Sequence, residues 1–259
     1  MDFYDIDLRN MLVNRIVKSD QNKNYDEMIV AVKNLIGCDP EFSNDELYWL
    51  SLAYKSVINK RRNSLNKAKK LLNGEKQLGN IGNIKKAESL CNQIKTEIRL
   101  HCLEILRLLD TKLLPNAVTE EAKVICLKLK GDFHRYLMEF EKGTNLELSK
   151  QNAYCSYSSA QKLASKKLTI TNPIRLALMI NHSLFEHDFL QNHEYACCIA
   201  KKAHDKALEE INKQGDDTQT KDAVAILQLL LFNLLLWEDA SEEQEKSADG
   251  KSAALKKKT

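Results

Sequence analysis

SNDELYWLSLAYKSVINKRRNSLNKAKKLL, Ser43–Leu72, reads as one long amphipathic helix. Ser43 followed by Glu46 fits a capping box, in which the serine oxygen takes a first-turn N–H while the glutamate reaches back to the cap. Apolar residues then recur at i, i+3, i+4 and i+7, which gathers them on one stripe. The same period runs through nearly every other segment, and strand alternation is absent.

Working outward, Gly74, Gly79 and Gly82 read as the end of that helix and a loop. A second long helix is expected from about Lys85 to Leu113, with Ile94, Ile98, His101, Ile105 and Leu108 on one stripe and Pro115 as its stop. Thr119 with Glu120 and Glu121 opens another, reaching about Phe140. Further helices are expected at Leu146–Lys166, Pro173–Gln191, His193–Asn212 and Asp222–Glu238, and two shorter ones precede Pro40. Pro173 suits a first turn, where a missing N–H costs nothing. The fold class is therefore all-α, a bundle of about nine helices whose short loops imply antiparallel neighbours.

Composition agrees. Of 259 residues, 43% are hydrophobic and 29% charged, with a mean hydropathy of −0.43, which excludes a disordered or membrane chain. Only 8 Gly and 3 Pro leave too few turn signals for an all-β sandwich or barrel. A balance of 39 basic against 36 acidic residues does not call for nucleic acid. Seven cysteines without a C-x-x-C spacing suggest neither a disulfide framework nor a zinc site, so they read as reduced, mostly core thiols. The first ten residues, MDFYDIDLRN, carry acids where a secretory signal would be basic, so the chain is expected to stay in the cytoplasm. The most apolar stretch, Ala223–Trp237, is shorter than the roughly 20 residues of a membrane span and is interrupted by Gln228 and Asn233. No membrane partner is expected.

Catalytic motifs are missing. Gly79 and Gly82 lack the following Gly-Lys-Ser/Thr of a phosphate loop, and no H-E-x-x-H occurs. His182 and His187 fall on different helix faces, and the acids at Asp216 and Asp217 have no second acidic cluster. The chain is read as no enzyme, with no cofactor and no metal. Cations stand out instead. Lys55 and Arg62 lie seven apart, as do Lys128 and Arg135, so each pair shares a face about 10.5 Å apart along its axis. Spacing alone reads first as solvated faces, and second as two helices converging on one phosphate. Asn181, with Leu184 beside it, and Asn233 stand in apolar stripes. Leu229, Asn233 and Leu236 share a face, with Trp237 a turn after Asn233. Such an amide bonds either another helix or the backbone of an extended peptide. Ala153–Ala164, AYCSYSSAQKLA, looks like one helix of a tetratricopeptide unit, which leaves open a helical-repeat scaffold binding unphosphorylated peptides.

Five blocks resemble the 14-3-3 protein family. LSLAYKSVINKRRNS (Leu50–Ser64), LLPNA (Leu113–Ala117), LKLKGDFHRYLMEF (Leu127–Phe140), TNPIRLALMINHSLFEHDF (Thr171–Phe189) and DAVAILQLLLFNLLLW (Asp222–Trp237) stand in that family's order. The resemblance implies a single helical domain over residues 1–238 with an amphipathic groove that binds phosphoserine or phosphothreonine segments of other proteins, while residues 239–259, acidic then basic with little to bury, read as a flexible tail. It implies a signalling adaptor. Position by position, Lys55, Arg62 and Arg135 would contact the phosphate, Tyr136 would add a hydroxyl bond and Lys128 would line the basic wall. Asn181 and Asn233 would hold the ligand's main chain, while Leu184, Leu229, Leu236 and Trp237 would form the apolar wall with Asp188 nearby.

Several positions depart from the family pattern. Leu65 and Asn66 replace Trp and Arg, Asp188 replaces Glu, and Leu231 with Phe232 replaces an Arg-Asp pair. The family's acidic surface is missing. The resemblance also implies a homodimer through the first helices. Lys18 and Asn22 stand where small or apolar residues belong, and Asn24 replaces the arginine that would meet Glu97, so the expected dimer is weaker or differently angled. Ser64 matches an interface serine whose phosphorylation, adding a charge of about −2, would split a dimer. Ser247 and Ser252, if phosphorylated, would occupy the groove in cis at millimolar effective concentration.

Overall fold

The computed structural model describes residues 3–214 and 221–238, which hold nine α-helices and no strand. These are α1 (Phe3–Gln21), α2 (Tyr25–Cys38), α3 (Asn44–Leu78), α4 (Ile81–Leu108), α5 (Glu120–Met138), α6 (Gly143–Lys167), α7 (Pro173–Asp188), α8 (His193–Gln214) and α9 (221–238). A five-residue π-helical turn, Leu109–Leu113, follows α4. No described helix is long and apolar enough to cross a membrane. The chain divides into two compact units, one ending at Ala160 and the other beginning at Gln161.

In the first unit, several helix starts have a local cause. Asn24 accepts the N–H of Glu27 and caps α2. Ser43 and Glu46 form the expected capping box, the serine Oγ 3.3 Å from the Glu46 N–H and the glutamate 2.8 Å from the Ser43 N–H. The other oxygen of Glu46 accepts Arg9 Nη2 at 2.6 Å, and Arg9 Nη1 reaches Asp39 at 2.8 Å. One arginine thus ties α1 to the end of α2 and the start of α3. Buried Leu12, Ile16, Met28, Val32, Leu35, Leu50, Val57, Ile98, Ile105 and Phe133, from α1 to α5, form one apolar cluster.

Four expectations about helix ends are corrected. Gly74 does not stop α3, which runs on to Leu78, and Gly82 lies inside the first turn of α4. A mid-helix glycine costs only about 1 kcal/mol, and packing of α3 against α4 outweighs it. Gly79 is the true stop. Its φ of 68° is left-handed, and its N–H reaches the carbonyls of Glu75 and Lys76. α6 likewise begins at Gly143, three residues before the expected start, and α7 ends at Asp188 rather than Gln191.

The cysteines are free, but only Cys91, Cys102 and Cys126 are buried; Cys38 and Cys155 are exposed and Cys197 and Cys198 intermediate. The reading of mostly core thiols is corrected accordingly. Burial pushes the Cys102 and Cys126 thiols up to about 12.

In the second unit, α7, α8 and α9 share a core of Leu176, Ala200, Ala207, Ile211, Leu227, Leu230 and Leu234. Asn172 caps α7 by accepting the N–H groups of Ile174 and Arg175, and Pro173 occupies its first turn as expected. His182 and Glu186 are buried 3.3 Å apart. Burial pulls His182 down to about 4 and raises Glu186, which favours the uncharged form of both.

One close approach in the first unit is possible only with glycine. A Cβ on Gly131 of α5 would lie 2.6 to 2.8 Å from three ring carbons of Tyr157 on α6, and that ring is fully buried. Overpacking of this kind costs about 1–3 kcal/mol, more than alanine's helix propensity returns. Gly131→Ala is therefore expected to lower unfolding free energy by about 1–2 kcal/mol. Urea denaturation checks it, and unchanged stability would contradict the packing described.

Candidate functional site

The site is built around a carboxylate. Asp132 on α5 has no solvent exposure. Its Oδ2 accepts Lys55 Nζ of α3 at 2.8 Å and Lys128 Nζ, one turn earlier on α5, at 3.1 Å, while Oδ1 accepts the Tyr157 hydroxyl of α6 at 2.7 Å. Burial raises its pKa, but Lys128, Lys55 and Arg135 together hold the carboxyl well below the usual range. It stays ionised.

The two lysines respond differently. Burial lowers the pKa of both, yet Asp132 overrides this at Lys55 and leaves it above the ordinary value. At Lys128, burial wins with help from neighbouring Lys55 and Arg135, and the pKa falls to about 8. Arg135 is raised despite its burial, by Tyr157, Asp132 and Tyr136.

A second cluster forms against Tyr136. The Arg62 guanidinium lies 4.3 Å from the ring centroid and that of Arg135 5.0 Å from it. Phe133 meets the same ring edge-on at 5.5 Å. Arg62 Nε donates to Glu139 at 2.9 Å, its Nη2 reaches the other oxygen of Glu139, and its Nη1 donates to Asn59 at 3.1 Å. Lys55, Arg62, Lys128 and Arg135 bring four positive charges, and Asp132 and Glu139 bring two negative ones, so the cluster has two positive charges in excess.

The structure therefore brings together all five residues expected around a phosphate, Lys55, Arg62, Lys128, Arg135 and Tyr136, and all lie in the first unit. Sequence reading missed Asp132, Glu139, Tyr157 and Gly131. Only the i, i+4 spacing of Lys128 and Asp132 was a usable signal. Tyr157 falls within the Ala153–Ala164 stretch that looked like a tetratricopeptide helix, and here it serves Asp132.

The expected groove residues lie in the second unit. On α7, Asn181 and Leu184 are half-buried, and exposed Asp188 bonds His187 Nδ1 at 2.8 Å. On α9, Leu229 and Leu236 are exposed, with Asn233 half-buried beside them. Trp237 is half-buried and stacks on His187, centroids 4.5 Å apart and planes 11° from parallel. Leu231 and Phe232 are exposed too.

At the expected dimer face, Lys18 and Asn22 are exposed. Glu97 is engaged within the chain, where Arg61 Nε reaches it at 2.8 Å, and Asp26 lies 3.6 Å from Arg61 and 3.5 Å from Lys60. Ser64 is exposed and donates to the Lys60 carbonyl at 3.1 Å. Ser247 and Ser252, like Asp216 and Asp217, lie outside the described residues. Among those described, no group of three or more His, Cys, Asp or Glu side chains is placed to hold a metal.

Comparison with known proteins gives the family. The family model described as 14-3-3 protein fits residues 16–238. The 14-3-3-like protein RA215 of Solanum tuberosum is 38% identical, over 87% of this chain and 88% of its own. A 14-3-3-like protein of Chlamydomonas reinhardtii is 36% identical over 92% of each chain, and 14-3-3-like protein C of Nicotiana tabacum is 37% identical over 89% of this chain and 88% of its own. With the family model spanning most of the sequence and relatives of this identity matched over nearly their whole length, the chain belongs to the 14-3-3 family, whose members are adaptors for phosphorylated proteins and not enzymes.

Proposed function

We propose that this chain is a cytoplasmic adaptor that holds phosphoserine or phosphothreonine segments of client proteins. The observation that carries the reading is the pair of excess positive charges in the cluster around Asp132 and Tyr136, equal and opposite to a phosphate dianion. Lys55, Arg62 and Arg135 contact the phosphate, Tyr136 adds its hydroxyl and Lys128 lines the wall. In the second unit, Asn181 and Asn233 hold the client's main chain, and Leu184, Asp188, Leu229, Leu236 and Trp237 meet its side chains. Each charge-assisted bond contributes about 1.5–3 kcal/mol, enough for three cations to discriminate strongly against an unmodified segment.

Binding of a phosphoserine peptide and its unmodified twin, compared by calorimetry, is expected to show strong phosphate dependence. Arg135→Ala should cost about 2–5 kcal/mol of the phosphopeptide affinity and leave the twin's weak binding unchanged. Equal affinity for the two peptides would sink the reading and favour a scaffold for unphosphorylated segments.

Lys128 adds a pH signature. Its pKa of about 8 in the free protein must rise when a dianion arrives, so binding takes up a proton above that pH. Affinity should therefore fall as pH climbs through 8. On the acid side it should fall as the phosphate gains a proton, near pH 6. Lys128→Arg, always charged, should flatten the alkaline limb alone. An alkaline limb that persists unchanged in this variant would assign it to another group.

We also infer a homodimer through the first helices, weaker than the family's usual one because Asn24 cannot reach Glu97 and Arg61 of the same chain already holds it. Sedimentation should show a reversible dimer at micromolar concentration, shifted towards monomer by Ser64→Glu. Monomer alone at every concentration would reject the dimer.

A further inference from the structure

The second unit contains a cavity of about 220 Å³ that the phosphopeptide reading does not use. It opens between the end of α6, the start of α7 and the middle of α8. Leu176, Met179 and Ile199 form an apolar wall, and Arg175, Lys202 and Lys206 line the same space. Lys202 and Lys206 stand one turn apart on α8, so they share a face. Arg175, in the first turn of α7, is held by Nη1, which donates to the Leu168 carbonyl at 2.9 Å. That bond uses one of its five donors.

Among the described residues, none of these three cations makes an ion pair. Asp205, the acid nearest Lys202 and Lys206 in sequence, bonds His204 at 3.0 Å. Three like charges around one concavity repel one another, and an anion in the cavity would relieve all three at once. Burial alone already disfavours the charged form of Arg175, and an anion beside it would offset that. The first unit's cluster differs: there Asp132 and Glu139 supply built-in counter-charge.

We propose that this cavity binds a small phosphate monoester carried on a single apolar ring. The guanidinium fork suits a phosphate better than a point charge does, and two ammonium groups complete the match to a dianion. Adaptable Met179 with Leu176 and Ile199 takes the ring. A volume below the usual 300–1,000 Å³ of drug-sized sites, as an order-of-magnitude guide, leaves no room for a dinucleotide. The site lies wholly in the second unit and does not depend on the adaptor reading.

The test uses the full chain and 4-fluorophenyl phosphate, followed by the fluorine NMR signal. Saturable binding is expected, and Lys202→Gln with Lys206→Gln, both exposed and safe for folding, should weaken it at least tenfold while phosphopeptide affinity stays at the wild-type value. Inorganic phosphate should compete poorly and 4-fluorobenzyl alcohol should not bind, since each offers one half of the match. Cys198 also lines the cavity, so its alkylation by iodoacetamide, mapped on peptides, should slow at least threefold under saturating ligand, with exposed Cys38 and Cys155 as unaffected controls. Equal binding by wild type and the double variant, or inorganic phosphate binding as tightly as the aryl phosphate, would overturn the proposal. So would an alkylation rate at Cys198 that the ligand leaves unchanged.

Discussion

Asp132 is an ionised carboxylate placed where water cannot reach it, and the geometry of the cationic cluster follows from that fact. Moving such a group out of water costs several kcal/mol, and the cost is offset only by good partners held in good geometry. Lys55, Lys128 and Tyr157 supply them from three helices. The consequence runs both ways. The carboxylate needs the lysines, and in serving it the lysines lose the rotamer freedom that a long cationic side chain has in solvent. An anion arriving at their exposed edges meets ammonium groups already ordered, so less entropy is lost on binding. Gly131 belongs to the same device, because a side chain there would keep the Tyr157 ring from coming close enough to donate.

Arg62 shows a different arrangement within the same cluster. Its fork is occupied by Glu139 while its flat face rests on Tyr136. A phosphate that recruits Arg62 must displace a carboxylate or share the guanidinium with it. A dianion with three acceptor oxygens competes better for two parallel N–H groups than a single carboxylate does, whereas a neutral serine hydroxyl cannot compete at all. On the proposed function Glu139 would therefore sharpen discrimination, lowering the affinity of every ligand and most of all of those that offer only one weak acceptor. Arg135, whose guanidinium lies 5.0 Å from the centroid of the same ring, would keep its charge available through such an exchange.

The fold was legible because its signals are local. The capping box at Ser43, the apolar period of α3 and α4, and Pro173 at a first turn each involve residues within a few positions of one another. Gly74 and Gly82 misled for the same reason: a glycine's preference is local and small, and the packing that overrides it comes from the neighbouring helix. The cations were legible as pairs seven apart, since that spacing is a property of one helix. What joins the pairs was not, because Lys55 and Asp132 are 77 residues apart and Asp132 and Tyr157 are 25 apart. The substitution at Asn24 was visible, but the in-chain grip of Arg61 on Glu97, across 36 residues, was not.

A net charge of only +3 bears on how such a cluster can work. A chain this close to neutrality generates little field beyond the Debye length of about 8 Å, so on the proposed function net charge would not draw a client in from afar and the two would meet by ordinary diffusive encounter. Selectivity must then reside in contacts made after encounter, where burial weakens screening. Lys128, with 14% of its side chain exposed, and Lys55, with 27%, sit in that regime. Added salt would consequently change the lifetime of a complex less than it does for proteins that bind through open basic surfaces. The burial that costs Lys128 part of its affinity for protons is the same burial that makes its charge count once a phosphate is in place.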